Sequence, residues 1–503
     1  MKNIDKLLIL LIFVMSFSAC NDEEFLTAEY YEGIVDVNFL TSPSHAKPAV
    51  TGVYDVMSYK GLNWDKMILG SSGADDIVEQ HGDANWASLI AIDQYRWVPE
   101  EQGDPKHIWK YWQAYYAGIQ RANLVLEKLP PLEGLNESLK KRYIAEVKAL
   151  RGYYYYNLVI AFGDVPLILE SLGYEDAINI TRSPEADVWA QIIKDLNEAA
   201  PDLPDSYDSQ EDAGRVTKGM TNALLDQVYL WQKDWAKAEA AAKKVIDSPA
   251  GYQLEGNYAD LFNGVSQYSK EAVFTAMRAA NAERQSIWSD YIDETNYVVL
   301  WGPFASWSWF YQPDTNFVRH NNYIDAGDYR IDTITYDVDN ELYDINNNGD
   351  FTDDPKWTAP PGNIHLMKWI PVNTDLSTGI IWSGGYGNID QMMIRLSEVY
   401  LDYAEALIQQ GSNTSTAIEY INKVRRRGGA SDITTTDKTE LLNIILNERK
   451  VEFCFEGKRF FDLKRAGKLK DVLGPLGWKD HMVNYPIPQE EIDLTQMTQN
   501  NGY

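Results

Sequence analysis

The chain has 503 residues, 45% hydrophobic and 24% charged, enough for a large core and more than one domain in an ordinary globular protein. Its 45 basic residues face 74 acidic ones, a formal net charge of −29 at neutral pH. A surface of that sign repels nucleic-acid phosphates and anionic lipid headgroups, which leaves neutral ligands as the open class.

The chain opens with a short polar stretch, Met1 to Lys6, and an apolar run from Leu7 to Phe17. That run is too short for a bilayer core of about 30 Å, which takes roughly 20 residues, so it reads as a signal peptide. Ser18 and Ala19 place small residues before Cys20, as in a bacterial lipobox, where the cysteine becomes the first mature residue and carries lipid. Residues 1–19 are therefore expected to be the signal and 20–48 the anchor and tether, with Pro43 and Pro48 opposing an early long helix. Cys20 and Cys454 are the only cysteines. With Cys20 acylated no disulfide remains, and the core must hold the fold. Cys454, between Phe453 and Phe455, reads as a small buried hydrophobe.

A helical pattern starts near Ala49 and ends at Gly61. Residues 62–104 are Gly-rich and mixed, with Trp64, Trp86 and Trp97 in loop-like settings. A helix from Pro105 to Pro130 carries Trp109, Trp112, Tyr116, Ile119 and Asn123 at three- and four-residue steps, an apolar stripe. A second long helix closes at Gly163. Ser183–Pro184–Glu185 opens a third, with Pro expected at its first position. Thr217 to Trp231 and Trp235 to Ile246 form a helix pair around a Gln232–Asp234 turn. Leu225, Tyr229, Trp235, Ala238, Ala242 and Val245 match the large-and-small spacing of a tetratricopeptide (TPR) repeat, with Asp226 where Gly is usual. Residues 394–427 repeat the pattern, and Lys438 to Leu469 reads as one more helix before a Tyr485–Pro486–Ile487–Pro488 tail. Stacked pairs of this kind form a curved solenoid. The expected fold is mainly α, a TPR-like helical-repeat superhelix in two parts, 49–249 and 391–503.

Between them, residues 250–390 break the periodicity. The stretch is too long for one loop and reads as a loop-rich insertion subdomain, with short strands at Ile331–Tyr336 and Met392–Leu396. Trp288 to Tyr311 holds Tyr297, Trp301, Trp307, Trp309 and Tyr311, broken by Gly302 and Pro303. An aromatic loop is either a plug in the subdomain core or a platform for a ligand. A sugar presents an apolar face of C–H groups that a Trp or Tyr ring can cover, while amides and acids take its hydroxyls. Trp86 on a separate polar loop, and Trp382 with Tyr386 in IIWSGGYGN, are further candidates. Asp344, Asn346, Asn348 and Asp350 follow the start of a calcium loop, with Gly349 at the sixth position. Position twelve would be Pro355, so Asp354 is the substitute ligand; the competing reading is an Asx-rich surface turn.

Several stretches together resemble the SusD/RagB family of Bacteroidetes outer-membrane nutrient-binding lipoproteins. They are the lipobox with the acidic Asn21–Glu24 behind it; Ala122–Asn123; Ala149–Leu150–Arg151–Gly152 with Phe162–Gly163–Asp164; Arg395 to Leu401; Asn447–Glu448–Arg449 through Glu452, Gly457, Arg459, Asp462 and Arg465; and the Pro-rich tail. The resemblance implies a TPR-like scaffold with an irregular ligand subdomain, anchored on the outer membrane and facing outward. It implies a SusC-like TonB-dependent transporter as partner and a captured glycan, or in some members a peptide, as ligand. The aromatic loop matches no motif, so no family residue is carried onto it.

No zinc-type His pair, Walker loop or Gly-x-Ser-x-Gly elbow is present, and an enzyme is not expected. The charges at Glu448, Arg449, Glu452, Arg459, Asp462 and Arg465 read as ion pairs between helices. Arg425–Arg426–Arg427 reads as a solvated or dipole-capping run at a helix end. A peptide-binding or protein-scaffold lipoprotein is the alternative to a glycan binder.

Overall fold

A computed structural model describes residues 39–79, 87–102, 106–266, 268–277, 311–313, 327–337, 364–366, 368 and 389–503. The scaffold helices are α1 (Ala46–Asp55), α2 (His107–Lys128), α3 (Glu137–Phe162), α4 (Glu185–Ala199), α5 (Lys218–Trp231) and α6 (Trp235–Ile246). After a short helix α7 (Arg330–Ile334) come α8 (Leu396–Gln410), α9 (Thr414–Arg427), α10 (Lys438–Glu452) and α11 (Arg459–Arg465). Each long helix packs on the next, α2 on α3, α3 on α4, α4 on α5, α5 on α6. This is the TPR-like stacking that the periodicity implies. Helix α6 then packs directly on α8, so the scaffold closes across residues 247–395. Small residues make that approach possible: Ala238 and Ala406 are fully buried beside Leu230.

The helices form where local signals agree. Asn136, Thr217, Asp234 and Asp437 each accept a hydrogen bond from a first-turn backbone N–H and cap α3, α5, α6 and α10. Gly411 ends α8 with φ of 69°. Pro184 sits at the N-cap of α4, one position earlier than expected. Helix α3 is buried on nearly every side, which makes it central. Tyr154 Oη donates to Val53 O at 2.7 Å, and Tyr155 Oη donates to Ile168 O at 2.7 Å, so these buried hydroxyls are satisfied.

Three expectations need correction. The buried face of α2 runs through Ile108, Tyr111, Trp112, Tyr115, Ile119 and Ala122. Trp109 and Tyr116 sit at its edge, because the face must meet both α1 and α3. Residues 331–334 are a helical turn, and only Thr335–Asp337 is strand. The last helix is two, α10 and α11, with Phe455 (φ 65°) and Gly457 (φ 68°) in the turn between. A Cβ on Gly457 would lie 2.8 Å from Lys66 O and 2.9 Å from Met67 Cα, so the chain must turn there to pass that backbone.

Among the described residues, six short strands pair antiparallel in twos: β1 (Ile77–Glu79) with β3 (Tyr311–Pro313), β2 (Ala272–Ala276) with β6 (Gln391–Arg395), and β4 (Thr335–Asp337) with β5 (Ile364–Leu366).

Candidate functional site

Among the described residues, the strands define where the candidate ligand segments begin and end. In the β1–β3 ladder Ile77 stands opposite Pro313, Val78 opposite Gln312 and Glu79 opposite Tyr311. Strand β1 leads into residues 80–86, and β3 leaves the aromatic stretch. Strand β5 runs beside β3 and pairs with β4. The short helix Ala87–Asp93, which begins one residue after Trp86, packs on β1 and buries Leu89 and Ile92. Tyr311 is placed by its backbone. Trp86, Tyr297, Trp301, Trp307, Trp309, Trp382 and Tyr386 lie outside the described residues. So do Cys20 and Asp344, Asn346, Asn348, Asp350 and Asp354 of the calcium-type loop.

A buried charge cluster lies where the insertion meets the scaffold. Arg330 donates to Asp328 Oδ1 at 2.9 Å and Oδ2 at 2.6 Å, to Glu448 at 2.6 Å and to Glu452 at 2.8 Å. Arg395 meets Glu271 and Glu452 at 2.7 Å each, and Glu456 at 2.7 Å. Arg427 pairs with Glu271 at 2.9 Å and also with Glu452. Lys368 Nζ donates to Glu456 Oε1 at 2.7 Å, Cys454 O at 2.8 Å and Glu452 O at 3.3 Å. Arg425 pairs with Glu448 at 2.9 Å. The three arginines around Glu452 outweigh its burial and hold its carboxyl well below the usual range. Burial lowers the Lys368 ammonium pKa, opposed by Glu456.

Two readings of these charges follow. Glu448, Arg449, Glu452, Asp462 and Arg465 make the interhelical ion pairs expected, and Arg449 alone joins Glu398, Asp402 and Asp462; Arg459 instead pairs with Asp75 in the turn before β1. The run Arg425–Arg427 is not a solvated cap. Only Arg426 is exposed, on Glu419 and Asp432, while its neighbours turn inward to buried glutamates. The carboxylates on α10 and its exit turn draw them there.

Two of the spaces among the described residues lie near the elements above. An interior cavity of about 40 Å³ is lined by Lys66, Asn157, Glu398, Arg449 and Lys458. A cleft of about 290 Å³ lies between Tyr54, Ser58, Arg215, Thr275 and Met277, just before residue 278. Asp226, the unusual residue of the TPR spacing, is fully buried, and burial raises its carboxyl well above the ordinary value.

Two family profiles match the chain. Residues 306–476 match the profile described as the SusD family, and residues 24–230 that described as "Starch-binding associating with outer membrane". The chain belongs to the SusD/RagB family. It is 24% identical to the SusD-like protein P25 of Formosa agariphila over 97% of both chains. It is 25% identical to the starch-binding protein SusD of Bacteroides thetaiotaomicron over 81% of this chain and 80% of that one. Among solved structures, a laminarin binding SusD-like protein superposes with a TM-score of 0.74 at 28% identity, covering 92% of this chain and 100% of that one. Surface glycan-binding protein A from Bacteroides thetaiotaomicron gives 0.75 at 23% identity, a likeness of fold.

The structure accounts for several residues that carry this SusD/RagB member's resemblance. Arg151 grips Asp195 with two bonds of 2.8 Å and reaches Asn123 at 2.9 Å, and Asn123 donates to Ile168 O and Glu170 O. Gly163 ends α3 at φ 73°, where a Cβ would lie 2.6 Å from Asn484 Nδ2. Tyr485 of the tail stacks on Trp97 at 4.2 Å and donates to Leu69 O at 2.6 Å. Trp97 is thus a core residue, and so is Trp64. Sequence reading missed Arg330 and Lys368, since a lone cation in a loop-rich stretch carries no periodic signal.

Proposed function

We propose that this SusD/RagB member captures a neutral oligo- or polysaccharide at the outer membrane and passes it to a SusC-like TonB-dependent transporter. Support comes from family membership and from the laminarin binding relative, which this chain covers completely. The single observation that carries the reading is the β1–β3 ladder. It sets the start of residues 80–86 beside the end of the aromatic stretch. Trp86 is the residue before Ala87, and Trp309 is two residues before Tyr311 in sequence.

Capture would be non-covalent. Ring faces from Trp86, Tyr297, Trp301, Trp307, Trp309, Tyr311, Trp382 and Tyr386 would cover the C–H faces of sugar units, and polar neighbours would take hydroxyls. No bond is broken and no catalytic residue is proposed. Lipid on Cys20 would hold the protein at the membrane, calcium at Asp344–Asp354 would brace residues 250–390, and those residues would form the ligand subdomain. Affinity electrophoresis of the mature protein against laminarin, starch and a panel of other neutral and anionic polysaccharides tests this. Retardation by a neutral glycan is expected; migration unchanged by every polysaccharide would overturn the reading.

A further inference from the structure

The buried charge cluster joins two parts of the molecule with different roles. Its anions Glu448, Glu452 and Glu456 belong to α10 and its exit turn; Glu271 stands one residue before β2, and the cation Arg395 ends β6. Two cations come from the insertion. Arg330 opens α7, which runs into β4; Lys368 stands two residues after β5. Both side chains are fully enclosed, at 0% relative exposure. Strands β4 and β5 pair with each other, β5 lies beside β3, and β3 carries the end of the aromatic stretch onto β1.

The donor count is what separates this contact from ordinary packing. Arg330 uses all three of its nitrogens on Asp328, Glu448 and Glu452. Lys368 has three N–H donors and three acceptors. Five cations, Arg330, Lys368, Arg395, Arg425 and Arg427, meet five anions, Asp328, Glu271, Glu448, Glu452 and Glu456. The backbone fits as tightly. Tyr329 N donates to Gly428 O at 2.9 Å, Tyr329 Oη donates to Arg427 O at 2.7 Å, and a Cβ on Gly428 would meet Arg330 Nε at 2.3 Å. Apolar residues of the same volume would hold two surfaces together as well or better. What the fully used donors of Arg330 and Lys368 add is one permitted docking geometry.

We infer that Arg330 and Lys368 are positioning residues for the ligand site, fixing on the scaffold the β4–β5 and β1–β3 frame that borders the candidate aromatic segments. This rests on the reading of those segments as the glycan site. It does not make either residue a ligand contact.

The test compares Arg330→Gln, Lys368→Met and, as a control, Arg465→Gln, which breaks the buried Arg465–Glu405 pair within the scaffold. Two readouts are taken on the mature protein: hydrogen–deuterium exchange by segment, and affinity for laminarin and for starch. Arg330→Gln and Lys368→Met are expected to speed exchange at least 10-fold in 77–79, 311–313, 335–337 and 364–366, leave α2 and α3 protected, and weaken binding at least 10-fold. Arg465→Gln is expected to leave the frame's exchange and the affinity unchanged. Faster exchange spread evenly over the helices, or a loosened frame with unchanged affinity, would overturn the inference. If wild type binds neither these two nor any other polysaccharide of the panel, the glycan reading fails, and the exchange pattern alone decides whether these two residues hold the frame. If Arg330→Gln does not fold, Lys368→Met decides.

Discussion

Glu79 and Tyr311 stand opposite each other in an antiparallel ladder, although the sequence places them far apart. That pairing carries the functional account, because it makes neighbours of two segments read separately as ligand candidates. It is open to direct test. Directly opposed Cα atoms in an antiparallel pair are about 4.5 or 5.5 Å apart, and both lie within the range a disulfide spans. Val78→Cys with Gln312→Cys is expected to oxidise to a cross-link that peptide mapping detects. Two thiols that stay free under oxidising conditions would mean the register is wrong.

Asp76 gives a pH prediction with a definite sign. It is fully buried, and neither carboxylate oxygen has a hydrogen-bond partner. Burial, followed by the Asp75 charge, pushes its carboxyl up to about 7. The folded state then holds a proton that the unfolded state releases near pH 4, so this group lowers stability as pH rises from about 4 to 7. Asp76→Asn is expected to match wild type near pH 4 and to exceed it at pH 8 by up to about 4 kcal/mol, at roughly 1.4 kcal/mol per pKa unit. Urea unfolding at both pH values measures this. A variant less stable than wild type at pH 8 would contradict it.

Gly457 tests the break between α10 and α11. Its φ of 68° and the 2.8 Å approach to Lys66 O leave no room for a methyl group. Gly457→Ala is expected to cost about 2 kcal/mol or more, from strain and a forced shift of backbone. A cost under about 0.5 kcal/mol in urea unfolding would show that the chain passes Lys66 and Met67 differently.

Much of the scaffold was legible in the sequence, because helices of this length repeat their apolar positions and announce their ends. Asn136, Thr217 and Asp234 are caps with a physical signature. What sequence could not give is the partner of a charge. Arg425 and Arg427 sit where a helix dipole would welcome a solvated cation, yet buried glutamates of other elements draw them in. The stripe on α2 held at Trp112, Ile119 and Asn123 but not at Trp109 and Tyr116, for a similar reason: Trp109 is as apolar as Tyr111, and only the position of α1 and α3 decides which is covered. The division at residues 453–458 was hidden because Phe453 and Phe455 continue an apolar pattern through a turn. The candidate rings were legible as residue types. The ladder that sets their segments side by side was not, since three-residue strands carry almost no periodicity.

The Asp344–Asp354 loop yields a simple prediction. If calcium occupies it, 1 mM calcium is expected to raise the thermal midpoint, chelation to lower it, and Asp344→Ala with Asp350→Ala to abolish the difference. Midpoints that coincide with calcium and with chelator would leave the loop an Asx-rich turn.

The central claim is that the aromatic segments take up a glycan. Titration calorimetry of the mature protein with the polysaccharide it retains best, alongside Trp86→Ala, Trp301→Ala, Trp307→Ala and Trp309→Ala, tests it most directly. A stacked ring is worth roughly 0.5–1.5 kcal/mol beyond the apolar area it buries, so at least one variant is expected to bind 10-fold or more weakly with its melting point unchanged. Binding equal to wild type in all four would contradict the account.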